Sequence, residues 1–362
     1  MKTLIVQNYW TPYRHDLFTE LSKYSDIEVL YLDSVGADRN WEKEETLFPS
    51  IQLKARKKGP FAFSDLSGID FSRYDRAVIL EHLENIFTIR KLARIFKGRF
   101  ILWCGMSKDA HPDKPGYDFL LDCFKAWYRR RLYQANMFFS YCGMTSEMLI
   151  EWGVPEEKIH IIHQASSIRE IPEIVGKDPV KLHRQSREAK PGPLRILSLG
   201  YLRKEKNNDF LIKVCNRFKS DELELVVAGS GPELEDLQQM AGDNVLFPGY
   251  LEGEDKFREY LKADVFVLPT IRDPWALVVN EAMYYGLPVI CSNRAGARDV
   301  VLGNGFIINP FDEEDLYLAL KEFVNRPELC WKMGRRSREI VQDYTVPFTA
   351  KQMSEYLNQE NL

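Results

Sequence analysis

The turn that follows the first apolar run, Gln7-Asn8-Tyr9-Trp10-Thr11-Pro12-Tyr13-Arg14-His15, holds no glycine. A dinucleotide-binding turn needs Gly-x-Gly-x-x-Gly at this place, because glycine lets the backbone approach a pyrophosphate. The absence counts heavily against a nicotinamide oxidoreductase. Nor is there any run of about 18 apolar residues, the least that spans a bilayer as a helix. The apolar start, residues 1–7, is too short for a signal peptide and reads as a strand. The six cysteines, at 104, 123, 142, 215, 291 and 330, include no Cys-x-x-Cys pair. That points to buried free thiols in a reducing cytoplasm and away from zinc. Net charge is −4, split unevenly: residues 1–190 carry 29 Lys/Arg against 26 Asp/Glu, and residues 191–362 carry 20 against 27. This balance argues against general nucleic-acid binding and leaves room for a local basic surface on the N-terminal half.

What the chain does have is 362 residues, 45% of them hydrophobic, enough for two cored domains. Strand-length apolar runs alternate with helical periods. Residues 4–6, 27–32, 77–80 and 100–103 read as strands of a first domain, and 195–199, 223–228, 264–268 and 289–290 as strands of a second. Residues 168–193 are polar and punctuated by Pro172, Gly176, Pro179, Pro191, Gly192 and Pro193. The expected division is residues 1–175 plus a closing helix at 345–362, a linker at 176–193, and a second domain at 194–344.

The most informative stretch runs from Thr270 to Ile290. An apolar strand leads into Asp273-Pro274, a good helix start, and Gly286 is placed to end that helix before the next strand. Read this way, Asp273 stands at the helix entrance and Glu281 about two turns in. Asp273 is then either an N-cap folded onto the first-turn amides or a ligand group, with those amides left to hold an anion.

The sequence Asp273-Pro274-Trp275-Ala276, then Glu281-Ala282-Met283 and Gly286-Leu287-Pro288-Val289-Ile290, resembles the signature of retaining glycosyltransferases of the GT-B fold, glycosyltransferase family 4. Asp273 stands where the family has its first Glu, and Ala276 where it has Gly. The resemblance implies an α/β chain of two Rossmann-like doubly wound domains facing a cleft, with a C-terminal helix crossing back to the first domain. It implies transfer of a sugar from a nucleotide-sugar donor to an acceptor hydroxyl with retention, in cell-surface polysaccharide or glycolipid assembly. The family's Gly-Arg-Leu-x-x-x-Lys is matched by Gly200-Tyr201-Leu202 through Lys206. Lys206 thus takes the diphosphate-binding position. Tyr201 replaces the Arg, and Arg203 is favoured as the second charge. By the same resemblance Asp273 faces the reacting sugar, the amides of Ala276, Leu277 and Val278 hold the departing phosphate, Glu281 accepts from the ribose, and Tyr250 flanks the base. No Asp-x-Asp is present, which fits a metal-independent route. No cofactor is expected, and a UDP-sugar is favoured over a GDP-sugar as substrate.

On the acceptor side the resemblance points to Tyr13 and Arg14 in the first turn; Glu81 and His82 are candidates by their place after the strand at 77–80, His82 being out of register with the His that the family often has there. The implied acceptor is a glycan or a lipid-linked sugar. Two basic stretches with aromatics suit peripheral contact with anionic lipid at the inner face of the membrane. One is Lys54, Arg56, Lys57 and Lys58 before Phe61 and Phe63; the other runs from Tyr117 to Arg131. A GT-B sugar-nucleotide epimerase and a non-catalytic scaffold of a polysaccharide-synthesis complex are the competing readings.

Overall fold

The computed structural model describes residues 1–33, 45–59, 61–105, 135–165, 176–189 and 192–359. They form two compact units, Met1–Ser167 with Thr345–Leu362, and Ile168–Tyr344. In the first unit the chain runs β1 (Thr3–Gln7), α1 (Pro12–Leu21), β2 (Ile27–Tyr31), β3 (Ser50–Gln52), β4 (Ala55–Lys58), β5 (Phe61–Ser64), β6 (Arg76–Leu80), α2 (Ile86–Ile95), β7 (Phe100–Cys104), β8 (Met137–Ser140), α3 (Gly143–Glu151) and β9 (Ile159–Ile161). Seven strands make a parallel sheet in the order β3-β2-β1-β6-β7-β8-β9, and β4 with β5 makes a separate antiparallel hairpin.

The reason for this architecture is in the side-chain alternation. Leu4, Val6, Ala77, Ile79 and Leu102 join one hydrophobic cluster, while Ile5, Val78, Ile101 and Trp103 join another. Successive residues of a strand point to opposite faces, so strands that are apolar throughout must be covered on both sides, the habit of a parallel sheet. The strand order reverses beside β1, which leaves a crevice at the carboxyl ends of β1 and β6.

The second unit runs α4 (Pro179–Ala189), β10 (Leu194–Leu199), α5 (Asn208–Cys215), β11 (Leu223–Ala228), α6 (Leu234–Met240), β12 (Val245–Gly249), α7 (Gly253–Lys262), β13 (Val265–Leu268), α8 (Leu277–Tyr284), β14 (Val289–Ser292), β15 (Gly305–Ile308), α9 (Glu313–Asn325) and α10 (Glu328–Ile340). Its six-stranded parallel sheet has the order β12-β11-β10-β13-β14-β15, so the reversal lies between β10 and β13. The last helix, α11 (Val346–Leu357), belongs to the first unit and packs against α1.

Two expectations are corrected here. The stretch at 176–193, which reads as a linker, contains α4 and belongs to the second unit. Asp178 accepts from the Val180 amide at 3.0 Å to begin that helix, and His183 lies 3.0 Å from Asp264. Its few apolar residues gave no sustained period, and tertiary contact supplies what the pattern lacks. The helix expected at Asp273-Pro274 begins instead at Leu277. Asp273 forms a parallel bridge with Ala295, which draws the chain along the sheet before α8 can start. Glu281 therefore lies only about one turn into the helix.

No described helix is long and apolar enough to cross a membrane. The basic stretch at Lys54 to Lys58 enters the β4–β5 hairpin, where Phe63 stacks on Phe87 at 5.3 Å. The stretch from Tyr117 to Arg131 lies outside the described residues.

Gly286 ends α8 in the left-handed region at φ 79°, and a Cβ there would collide with the Val180 side chain of α4. Gly286→Ala combines left-handed strain of about 1 kcal/mol with overpacking of about 1–3 kcal/mol. Urea unfolding should show a lower midpoint for this variant, with part of the loss recovered on adding Val180→Ala. An unchanged midpoint would contradict this packing.

Candidate functional site

In the second unit the loops after β10 and β13 are fastened together by their backbones. The Thr270 hydroxyl donates to the Glu205 carbonyl at 2.6 Å, and the Ile271 amide donates to the same carbonyl at 3.0 Å. Asn207 adopts φ 58°, a conformation asparagine tolerates, and its side-chain amide reaches the carbonyls of Pro269 and Pro310. The glycines after β11 complete the cradle. A Cβ on Gly229 would strike the Gly200 carbonyl, and one on Gly231 the Leu202 carbonyl. Gly229-Ser230-Gly231 is thus a close backbone approach that supports the loop carrying Lys206.

This fastening brings Lys206 Nζ to 2.6 Å from Asp273 Oδ2. Asp273 Oδ1 accepts from the Trp275 amide at 3.1 Å, so the carboxylate braces its own turn and leaves the helix unclaimed. The main chain of Asp273 pairs with Arg294 and Gly296, and Trp275 is buried with its indole donating to Asn280 at 3.0 Å. Ala276 takes φ 75° and ψ 78°, at a cost of about 1 kcal/mol. The left-handed residue swings the chain into α8, and the amides of Ala276, Leu277 and Val278 have no acceptor among the described residues. Free amides at a helix start, next to a lysine, make a site for an anion.

Glu281 is 8% exposed. Lys256 Nζ donates to its Oε1 at 3.0 Å and the Tyr260 hydroxyl to its Oε2 at 2.8 Å. Burial, then the Glu281 carboxylate, pushes the Tyr260 hydroxyl well above the ordinary phenol range, so it stays a donor. These two contacts fix the direction of the carboxylate.

In the first unit Tyr13, Arg14, Glu81 and His82, with Gln7 and Tyr141, line one cavity of about 190 Å³. It lies at the carboxyl ends of β1 and β6, where the strand order reverses. Arg14 is 2% exposed; its guanidinium lies 3.8 Å from the Trp103 ring centroid, and Nη2 donates to the Tyr141 hydroxyl at 2.5 Å. Burial holds the His82 imidazole below its ordinary value, Glu84 pulling it up and Lys57 pushing it down.

Residues 180–340, which hold all of the second-unit groups just described, match the family model for glycosyl transferases group 1. This region is a group 1 glycosyl transferase domain. Sulfoquinovosyl transferase SQD2 of Arabidopsis thaliana is 32% identical over 155 residues, 41% of this chain and 30% of that protein. An uncharacterized glycosyltransferase of Haemophilus influenzae is 32% identical over 161 residues, 42% of this chain and 45% of that one. The chain thus spans less than half the length of these curated relatives. Among solved structures, Anabaena Alr3699/HepE in complex with UDP has a TM-score of 0.73 at 16% identity, over 99% of each chain. The likeness shows the fold, which is GT-B.

Within the group 1 domain, Lys206, Asp273 and the amides of Ala276, Leu277 and Val278 are brought to one corner, and Glu281 follows a turn later. Arg203 is not drawn in: it is half exposed and lies 3.7 Å from Glu205. Tyr250 is 67% exposed, beyond the end of β12. Sequence reasoning missed Lys256 and Tyr260, which are four apart on one face of α7 and so could have been seen as a pair. It also missed Arg294, whose carbonyl accepts from the Asp273 amide. The four acceptor-side residues, by contrast, share one cavity.

Because folded His82 resists protonation, the unfolded chain binds more protons as pH falls below about 6.5, and stability drops with it. His82→Gln should lose less stability than wild type between about pH 7 and about pH 5 in denaturant titrations. An equal or larger loss would show that His82 titrates normally.

Proposed function

We propose that the chain transfers a glycosyl group from a nucleotide-sugar donor to an acceptor hydroxyl, with retention of anomeric configuration. The observation that carries this reading is the corner at the start of α8, where Lys206 and unclaimed amides meet a carboxylate inside the group 1 domain. A nucleoside diphosphate leaving group brings negative charge, and Lys206 with the amides of Ala276, Leu277 and Val278 would stabilise it. Diphosphate binding would draw Lys206 from Asp273, freeing that carboxylate to take sugar hydroxyls and oppose positive charge at an oxocarbenium-like centre. Glu281, held by Lys256 and Tyr260, would accept from the ribose. On this route the departing phosphate helps deprotonate the acceptor on the same face. Alr3699/HepE is described in complexes with UDP, UDP and glucose, and UDP-glucose. A UDP-sugar is therefore our preferred donor, used in building a surface polysaccharide or glycolipid.

A thermal-shift panel of UDP, GDP and ADP tests the donor. UDP should stabilise the protein most, and saturating ligand at about 100 times its Kd should contribute about 2.7 kcal/mol. Lys206→Ala and Glu281→Ala should each weaken that binding about tenfold or more. Asp273→Ala should bind UDP yet lose most turnover of the UDP-sugar. Wild-type binding in Glu281→Ala would overturn the assignment. Conversion of a UDP-sugar to its epimer without acceptor would favour the epimerase reading.

A further inference from the structure

We infer that the cavity in the first unit is a receptor for an anionic group borne by a sugar, a carboxylate or a phosphate, with Arg14 as its cation. The inference rests on the glycosyltransferase reading only in naming the cavity's ligand as the acceptor. Its geometry stands within the first unit alone.

Arg14 is a buried guanidinium without a counter-ion among the described residues. It is 2% exposed, and no described carboxylate pairs with it. One side of the group lies over the Trp103 ring, and Nη2 is taken by the Tyr141 hydroxyl. Nη1 is buried and has no partner among the described residues. A buried charge is tolerated when it is paired, and an unpaired donor on a fixed guanidinium calls for an explanation. Stacking on Trp103 accounts for where the group sits and leaves its charge unanswered.

The surroundings point to a ligand. Gln7 Nε2, Thr11 Oγ1 and His82 Nδ1 are likewise buried without partners, and all three residues line the same cavity as Arg14. Four unmet polar groups around about 190 Å³, many times the ~30 Å³ of one liquid water, match a polyhydroxyl molecule with one charge. Glu81, the acidic residue of this lining, lies near the buried Cys104 thiol, which burial and then this carboxylate hold well above the ordinary thiol range. Gly105 completes the design: a Cβ there would enter the Tyr141 ring, displacing the hydroxyl that aims the guanidinium. A fixed planar cation is suited to bidentate capture of carboxylate or phosphate.

The test uses the full chain and calorimetric titration with glucuronate, glucose 6-phosphate, glucose and inorganic phosphate. Either acidic sugar should bind about tenfold or more tightly than glucose. Arg14→Gln should reduce the acidic sugar to the level of glucose, and Arg14→Lys should keep part of the preference. Equal binding of glucose and both acidic sugars overturns the inference, as does inorganic phosphate binding as tightly as the sugars. The wild-type comparison needs no variant, so misfolding of Arg14→Gln does not remove the test. A UDP thermal shift on the same samples separates the two readings. Acidic-sugar preference without a UDP shift retires the donor assignment and keeps the receptor; a UDP shift without the preference retires the receptor.

Discussion

Lys206 and Asp273 are 67 residues apart in the chain and 2.6 Å apart in space, and the layout of the group 1 domain follows from making them meet. β10 and β13 must be neighbours, and the loops after them must leave the sheet in step. Thr270 and Ile271 hold the Glu205 carbonyl to keep them so, while Gly229 and Gly231 let a third loop close underneath. The ion pair is partly buried. On the proposed function, an incoming diphosphate would offer Lys206 a stronger partner than Asp273, with helix amides contributing at the same point.

The left-handed turn at Ala276 is the second constraint. A residue with a Cβ is held at φ 75° because Trp275 on one side is anchored by Asn280 and stacked on Tyr344, and α8 on the other is fixed by its packing. Strain of this size persists only where the surroundings over-determine the backbone. Here it keeps the first amides of α8 out of the turn and available.

Much of this was legible in the sequence because apolar strands buried on both faces leave a strong pattern. Residues 195–199, 223–228 and 264–268 lie within a residue or so of β10, β11 and β13. Lys206, Asp273 and Glu281 stood out by resemblance. What stayed hidden depended on tertiary structure. Helix α4 is too polar to announce itself, and Pro274 looked like a helix start because the bridge from Asp273 to Ala295 is a long-range fact. Lys256 and Tyr260 are legible as an i, i+4 pair on α7, but their contact with Glu281 is long-range and nothing local announces it. For Arg14 the sequence supplied the residue and its neighbours, while its lack of a counter-ion among the described residues is visible only in three dimensions.

The most direct measurement of the central claim is an NMR titration of the backbone amides of Leu277 and Val278 with UDP. Both resonances should shift and saturate together as the diphosphate takes the start of α8, and the Lys206 Nζ signal should move with them. Saturation of UDP binding with the amides of Leu277 and Val278 unmoved would contradict it.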